Sequence, residues 1–236
     1  MVADTAYLAG NWAQVRHRVD EACAEAGRDP ASVSILPVSK TFGPELIRAA
    51  AALGLKRFGE NRVQEIRDKS GLLTDCDIDW VVIGHLQTNK AKDVARLARE
   101  VQSLDRLDLA EVLDRRLKHE GRSLDVLVQV KTSPEPSKFG LPPAELPAFL
   151  EQLRSHTNLR VRGLMTLAIN SPDEAQVRAC FSLLRELREQ GVAQGHDLER
   201  LSMGMSGDFA LAIAEGATEV RIGSALFGTR SQPDPG

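Results

Sequence analysis

The stretch "SILPVSKTFGPELIRAA", Ser34 to Ala50, reads as a buried strand, a lysine and then a helix. Ile35, Leu36 and Val38 are apolar, and Lys40 stands where the strand leaves its sheet. Gly43-Pro44 then opens an apolar-periodic run that Gly54 stops. A surface lysine belongs on a helix. A lysine at the carboxyl end of a parallel strand points to where such folds build their sites. The unit is therefore a βα unit, and its polar exit is the first candidate for chemistry.

Working outward, the same unit recurs. Short apolar runs lie at Val33–Val38, Arg57–Gly59, Trp80–Gly84, Val101–Leu104, Val126–Val130, Val161–Met165, Arg200–Met203 and Glu219–Ile222, with helix-length segments between them. An amphipathic helix precedes them all: Leu8, Trp12, Val15, Val19 and Cys23 recur at helical spacing, and Gly27 ends it. Late in the chain Ser171 caps a helix, Pro172 takes its first position and Gly191 closes it; Val177, Cys180, Phe181, Leu184 and Leu187 form its apolar stripe. Pro147 interrupts the pattern of Leu141–His156. About eight strands with helices between them fit a (β/α)8 TIM-type barrel with an extra N-terminal helix. A doubly wound open sheet competes. Units of similar length from end to end, with no composition break, favour the barrel. One domain over residues 1–230 and a disordered tail "SQPDPG" at 231–236 are expected.

Composition removes several function classes. The 236 residues are 42% apolar, ample for one large core. A net charge of −3 gives no drive toward nucleic acid or an anionic membrane. No apolar run is long enough to span a bilayer, and "MVADTAYLAGNW" lacks the pattern of a secretory signal. The three cysteines, Cys23, Cys76 and Cys180, are sparse and show no metal-ligand spacing. They read as reduced structural thiols. A cytoplasmic monomer without a metal site is expected.

On a barrel, strand ends carry the chemistry. Those positions hold Lys40; Glu60 and Asn61; His85, Gln87, Asn89 and Lys90; Lys131 and Lys138; Met165 and Thr166; Ser206; and Arg221, Gly223 and Ser224. The loops after strands seven and eight, "MGMSGD" and "RIGSALFG", combine glycines, hydroxyls and Arg221, the composition of an anion cradle at helix starts. Barrel closure sets strand eight beside strand one, so Lys40 meets Ser206, Arg221 and Ser224. An amine facing a phosphate cradle suits a phosphorylated aldehyde bound as a Schiff base. Each residue also has a plain reading. A Gly-Ser turn alone is usually only a turn, Arg221 could pair with a carboxylate, and His85 could be a satisfied structural histidine. The shared geometry outweighs these. A class I aldolase using Lys40 on a phosphorylated sugar fits the same residues.

"VSKT", "FGENRVQE", "IGHLQTNK", "GLMT" and "LSMGMSGDFALAIAEGATEVRIGSALFGTR" resemble the YggS/PROSC family of pyridoxal 5′-phosphate (PLP) homeostasis proteins, over about Ser34 to Arg230. That family resembles the N-terminal barrel of alanine racemase and of fold-type III decarboxylases. The resemblance implies that Lys40 holds PLP as a Schiff base. It implies that Ser206, Gly207, Arg221, Gly223 and Ser224 form the phosphate and ring-anchoring segment, and that Asn61 lines the other side of the cofactor. Whether Arg221 faces the phosphate or the pyridine nitrogen stays open. Many members carry a basic residue just after "SKT"; here Phe42 and Gly43 precede Pro44.

The family reading is a PLP-binding protein in intracellular PLP and amino/keto acid homeostasis without robust catalysis, with PLP-dependent apo-enzymes as candidate recipients. The alternative is a low-activity fold-type III PLP enzyme such as an amino-acid racemase. Racemases of that type use a second base and a separate β domain. Few residues follow the eighth strand here, and the one tyrosine, Tyr7, lies in the first helix and far from any strand end.

Overall fold

The computed structural model describes residues 6–228. Helix α1 (Ala6–Glu25) precedes an alternation of strands and helices. The strands are β1 (Ser34–Pro37), β2 (Arg57–Glu60), β3 (Asp79–Val82), β4 (Ala98–Leu104), β5 (Leu124–Gln129), β6 (Leu159–Met165), β7 (Arg200–Met205) and β8 (Glu219–Ile222). The helices that follow them in turn are α2 (Pro44–Ala52), α3 (Val63–Leu72), α4 (Ala91–Leu97), α5 (Leu107–Glu120), α6 (Leu146–Leu153), α7 (Glu174–Ala193), α8 (Phe209–Ala214) and α9 (Ser224–Phe227).

All eight strands pair in parallel, in the order β1-β8-β7-β6-β5-β4-β3-β2. The ring closes where Val38 bridges Gly59 and the Ser39 N–H donates to the Gly59 carbonyl at 3.0 Å. First and last strands are neighbours, so this is a (β/α)8 barrel and not a doubly wound sheet. The strands are apolar runs because helices cover them: Val81, Val126 and Val220 are buried completely. Helix α1 packs on α8 and α9.

The inner face holds charges from strand starts. Arg57 donates to Glu219 at 2.8 Å and to Glu100 at 2.9 Å, and Arg200 donates to both at 2.8 Å. These residues come from β2, β4, β7 and β8. Non-adjacent strands can share bonds only through the barrel interior, so the four charges plug its amino-terminal end. Gln102 donates to both carboxylates and accepts from Ser202 at 2.7 Å.

Four local expectations change. Pro172 lies one residue before the cap of α7 and not in its first position. Asp173, not Ser171, caps α7: its carboxylate accepts the Ala175 N–H at 2.9 Å, while Ser171 Oγ accepts the Asp173 N–H one step earlier, at 3.1 Å. The charged acceptor next to the helix takes the cap. Gly191 lies inside α7, where a Cβ would come within 2.5 Å of Leu198 Cδ1; Gly195, at φ +84°, turns the chain instead. Pro147 sits in the first turn of α6 and starts that helix, a position where its missing N–H costs nothing. Cys23 and Cys180 are buried, Cys76 is half-buried, and all are free thiols. Among the described residues no helix is long and apolar enough to cross a membrane, and no cluster of His, Cys, Asp or Glu could hold a metal ion. The tail at 231–236 lies outside the described residues.

Candidate functional site

The carboxyl ends of the strands open into a cavity of about 610 Å³. Lys40, Asn61, Ser206, Gly207, Arg221, Gly223 and Ser224 all line it. Residues separated by more than 180 positions meet because β1 lies against β8, with Leu36 in register with Arg221.

Arg221 is the best-fixed of them. It is buried, with Nη1 donating to Ser202 Oγ at 2.8 Å and Nη2 to the Thr166 carbonyl at 2.7 Å. These partners are neutral; among the described residues no ion pair forms with a carboxylate. Burial pulls its pKa down to about 10, opposed by the fields of Glu219 and Asp208. It remains a cation at neutral pH, in a wall of the cavity.

Glycines let the backbone close around the space. At Gly223 a Cβ would sit 3.3 Å from the Val38 carbonyl, so the turn before α9 lies against the end of β1. Helix α9 starts at Ser224; the Leu226 and Phe227 N–H groups donate to the Gly223 carbonyl at 2.9 and 3.0 Å, so the Ser224 and Ala225 N–H groups are the first-turn donors that turn leaves for other acceptors. Gly207 faces open space. Gly84 is required by Asn61, whose carbonyl oxygen would lie 2.3 Å from an added Cβ.

The remaining strand-end residues divide. His85 and Lys138 line the cavity; Gln87, Asn89, Lys90 and Lys131 do not. The His85 ring stacks on Phe139 with centroids 4.0 Å apart, and its Nδ1 is 3.8 Å from Asp105 Oδ2, beyond hydrogen-bond reach. Met165 and Thr166 are wholly buried, and Thr166 supports the site from behind by giving its carbonyl to Arg221. Glu60 does not line the cavity and turns toward α3. It accepts from Ser39 Oγ at 2.6 Å and Lys69 Nζ at 2.7 Å, and burial pushes its pKa up to about 7 despite those two partners. The Tyr7 hydroxyl donates to the Phe227 carbonyl at the end of α9, at 3.0 Å, and Tyr7 does not line the cavity.

Gln129 and Phe42 are among the wall residues that escaped the sequence reading. Gln129 ends β5, lines the cavity and donates to the Phe139 carbonyl at 3.0 Å. A polar residue between Val128 and Val130 was the available signal. Phe42, two residues after Lys40, lines the cavity and packs on Phe227 with ring centroids 5.1 Å apart.

Residues 10–231 match the family model of the alanine racemase N-terminal domain. The pyridoxal phosphate homeostasis protein of Pseudomonas aeruginosa is 43% identical over 228 residues, covering 97% of this chain and 98% of that protein. The chain belongs to the pyridoxal phosphate homeostasis protein family. A solved structure of a second similar protein, PipY of Synechococcus elongatus, has PLP bound; it is 41% identical at a TM-score of 0.79, over 89% of this chain and all of that one. Alanine racemase of Clostridium difficile shares the fold of this homeostasis-family barrel, with a TM-score of 0.77 at 13% identity over 97% of this chain and 58% of the racemase.

Proposed function

We propose that the chain binds PLP in the carboxyl-end cavity, holds it as a Schiff base on Lys40, and serves intracellular PLP and amino/keto acid homeostasis without robust catalysis. One observation carries this reading: Lys40, Arg221 and the Gly223-Ser224 turn, from adjoining strands, line one cavity. The donor set suits the cofactor. An amine answers an aldehyde, a fixed cation and first-turn N–H groups answer a phosphate or ring nitrogen, and glycines leave the room.

Arg221 lies within the barrel, tied to β7 and to the end of β6, whereas Ser206-Gly207 and Gly223-Ser224 sit on the rim loops. That layering favours Arg221 for the pyridine nitrogen and the rim turns for the phosphate. Bound PLP supplies an electron sink; an arginine at its nitrogen keeps that atom unprotonated and weakens the sink. Asn61 closes the side opposite these turns. The protein acts as a cytoplasmic monomer.

The test is the protein's own spectrum with PLP, followed by dialysis. Wild type is expected to show a visible absorption band and to retain the cofactor. Lys40→Ala should lose the band while keeping part of the PLP through Arg221 and the rim turns. A band that survives Lys40→Ala would refute the reading. Mixing loaded protein with a PLP-dependent apo-enzyme then separates hand-over from buffering: hand-over reactivates faster than an equal amount of free PLP.

His85, in the cavity wall with Asp105 behind it, favours a second reading of low racemase activity. Solvent-deuterium incorporation at the α-carbon of L- and D-alanine, sustained over many turnovers and abolished by His85→Ala, would establish that reading; none is expected.

A further inference from the structure

Lys40 is flanked by Ser39 and Thr41, and α3 holds both. Glu65 and Lys69 are one helical turn apart on α3. Glu65 Oε2 accepts the Thr41 backbone N–H at 2.7 Å. Lys69 Nζ donates to the Ser39 carbonyl at 2.9 Å, to Glu65 Oε2 at 3.0 Å and to Glu60 Oε1 at 2.7 Å. Helix lysines are ordinarily solvated, yet Lys69 is only 7% exposed, its charge met by three acceptors.

Thr41 has φ +68°, the one non-glycine residue in the left-handed region among the described residues. A β-branched residue there is a true outlier, and such strain persists only where the surroundings over-determine it. Thr41 itself is exposed, so packing does not impose the conformation. Two hydrogen bonds hold it there: the Phe42 N–H donates to the Ser39 carbonyl at 3.1 Å, closing a turn with Thr41 at its third position, and the Thr41 N–H donates to Glu65.

We propose that Glu65 and Lys69 form a positioning clamp that fixes the backbone on both sides of Lys40 and thereby presents its amine to the cavity in one direction. The clamp rests on the reading that Lys40 takes the PLP aldehyde. Ser39 is held through its carbonyl and hydroxyl, Thr41 through its N–H, so the lysine between them has little backbone freedom to lose when the adduct forms. In this account "FGENRVQEIRDK", Phe58 to Lys69, serves Lys40 as much as it does Asn61.

The experiment mixes cofactor-free protein with PLP, follows the visible band over time, and maps the borohydride-reduced adduct by peptide mass spectrometry. Glu65→Leu removes the acceptor and is expected to slow adduct formation on Lys40 about tenfold, the equivalent of ~1.4 kcal/mol. Glu65→Gln keeps an acceptor for Thr41 and should stay near wild type. Glu65→Leu combined with Thr41→Gly should recover most of the rate, because glycine adopts positive φ without strain. A merely structural role predicts the opposite, since the added glycine would compound the damage. Thr41→Pro, at an exposed position, is the backup if Glu65→Leu does not fold: it removes the N–H and forces φ negative, and should slow the reaction similarly. Circular dichroism monitors the fold throughout. A wild-type rate in both Glu65→Leu and Thr41→Pro, or no recovery with Thr41→Gly, overturns the clamp while leaving Lys40 as the cofactor lysine. An adduct on another lysine in wild type overturns the cofactor reading, and the clamp with it.

Discussion

The two ends of this barrel use interior-facing arginines in opposite ways. At the amino-terminal end Arg57 and Arg200 are matched one for one by Glu100 and Glu219, and every bond stays within the set or reaches Gln102. At the carboxyl end Arg221 is held only by neutral partners, beside a cavity of about 610 Å³ edged with glycine and serine. Gln102 and Ser202 connect the two in one hydrogen-bonded chain. A matched set of charges satisfies itself and has nothing to offer a ligand. An arginine held by a hydroxyl and a carbonyl keeps its charge for something else. Within one fold, the charge of the partner thus separates structure from function.

The contrast can be broken first at the plug. Glu219→Ala leaves Arg57 and Arg200 sharing one carboxylate; losing one partner of a fully buried pair costs about 3–5 kcal/mol, and the partial exposure of both arginines sets the expected loss at or below the lower end of that range. Both arginines hold Glu219 below the usual carboxylate range although burial raises it, so the ionised form is the one the fold depends on. Urea denaturation should register the loss as a lower midpoint. PLP retention by the molecules still folded should be close to wild type.

The converse change is Arg221→Gln. A charge-assisted hydrogen bond contributes about 1.5–3 kcal/mol, so PLP retention should weaken roughly ten- to hundred-fold. The urea midpoint should move less than in Glu219→Ala. Equal loss of stability in the two variants would erase the distinction between the ends.

A smaller effect separates the site's support from the plug by pH. The Glu60 pKa is raised from 4.5 to about 7, mainly by burial. A carboxyl raised on folding favours the folded state fully below its unfolded pKa, and that contribution is lost as pH rises through about 7. Stability measured between about pH 4.5 and 7 should therefore carry a downward slope that Glu60→Gln removes. Glu219, shifted the other way, contributes stability that is present above its unfolded pKa and lost in acid. The smallest expected effect is at the surface. Lys56 and Asp77 lie 2.8 Å apart but are largely exposed, and Lys56→Ala should leave the midpoint unchanged.

Much of this was legible in the chain. Each strand is an apolar run ended by glycine or polar residues, so the strands and seven of the lining residues could be read from one rule about strand ends. The plug was not legible. Arg57, Arg200 and Glu219 open their strands, where charges look like solvated boundaries, and only closure of the ring turns them on one another. Lys69 and Glu65 look like an exposed helix pair, and nothing local shows that α3 turns them beneath Lys40. Glu60 follows the strand-end rule in sequence but points away from the cavity toward α3, because side chains alternate along β2 and Arg57 takes the interior face. The α7 cap went to Asp173 instead of Ser171 by a difference of two positions, within the range where a local competition between acceptors decides.

The central claim is that Lys40 carries the cofactor in the carboxyl-end cavity. Its most direct test is borohydride reduction of the PLP-loaded protein followed by peptide mass spectrometry. The predicted result is a pyridoxyl adduct on the peptide containing Lys40, absent in Lys40→Ala; an adduct found solely on Lys90 or Lys138 would contradict it.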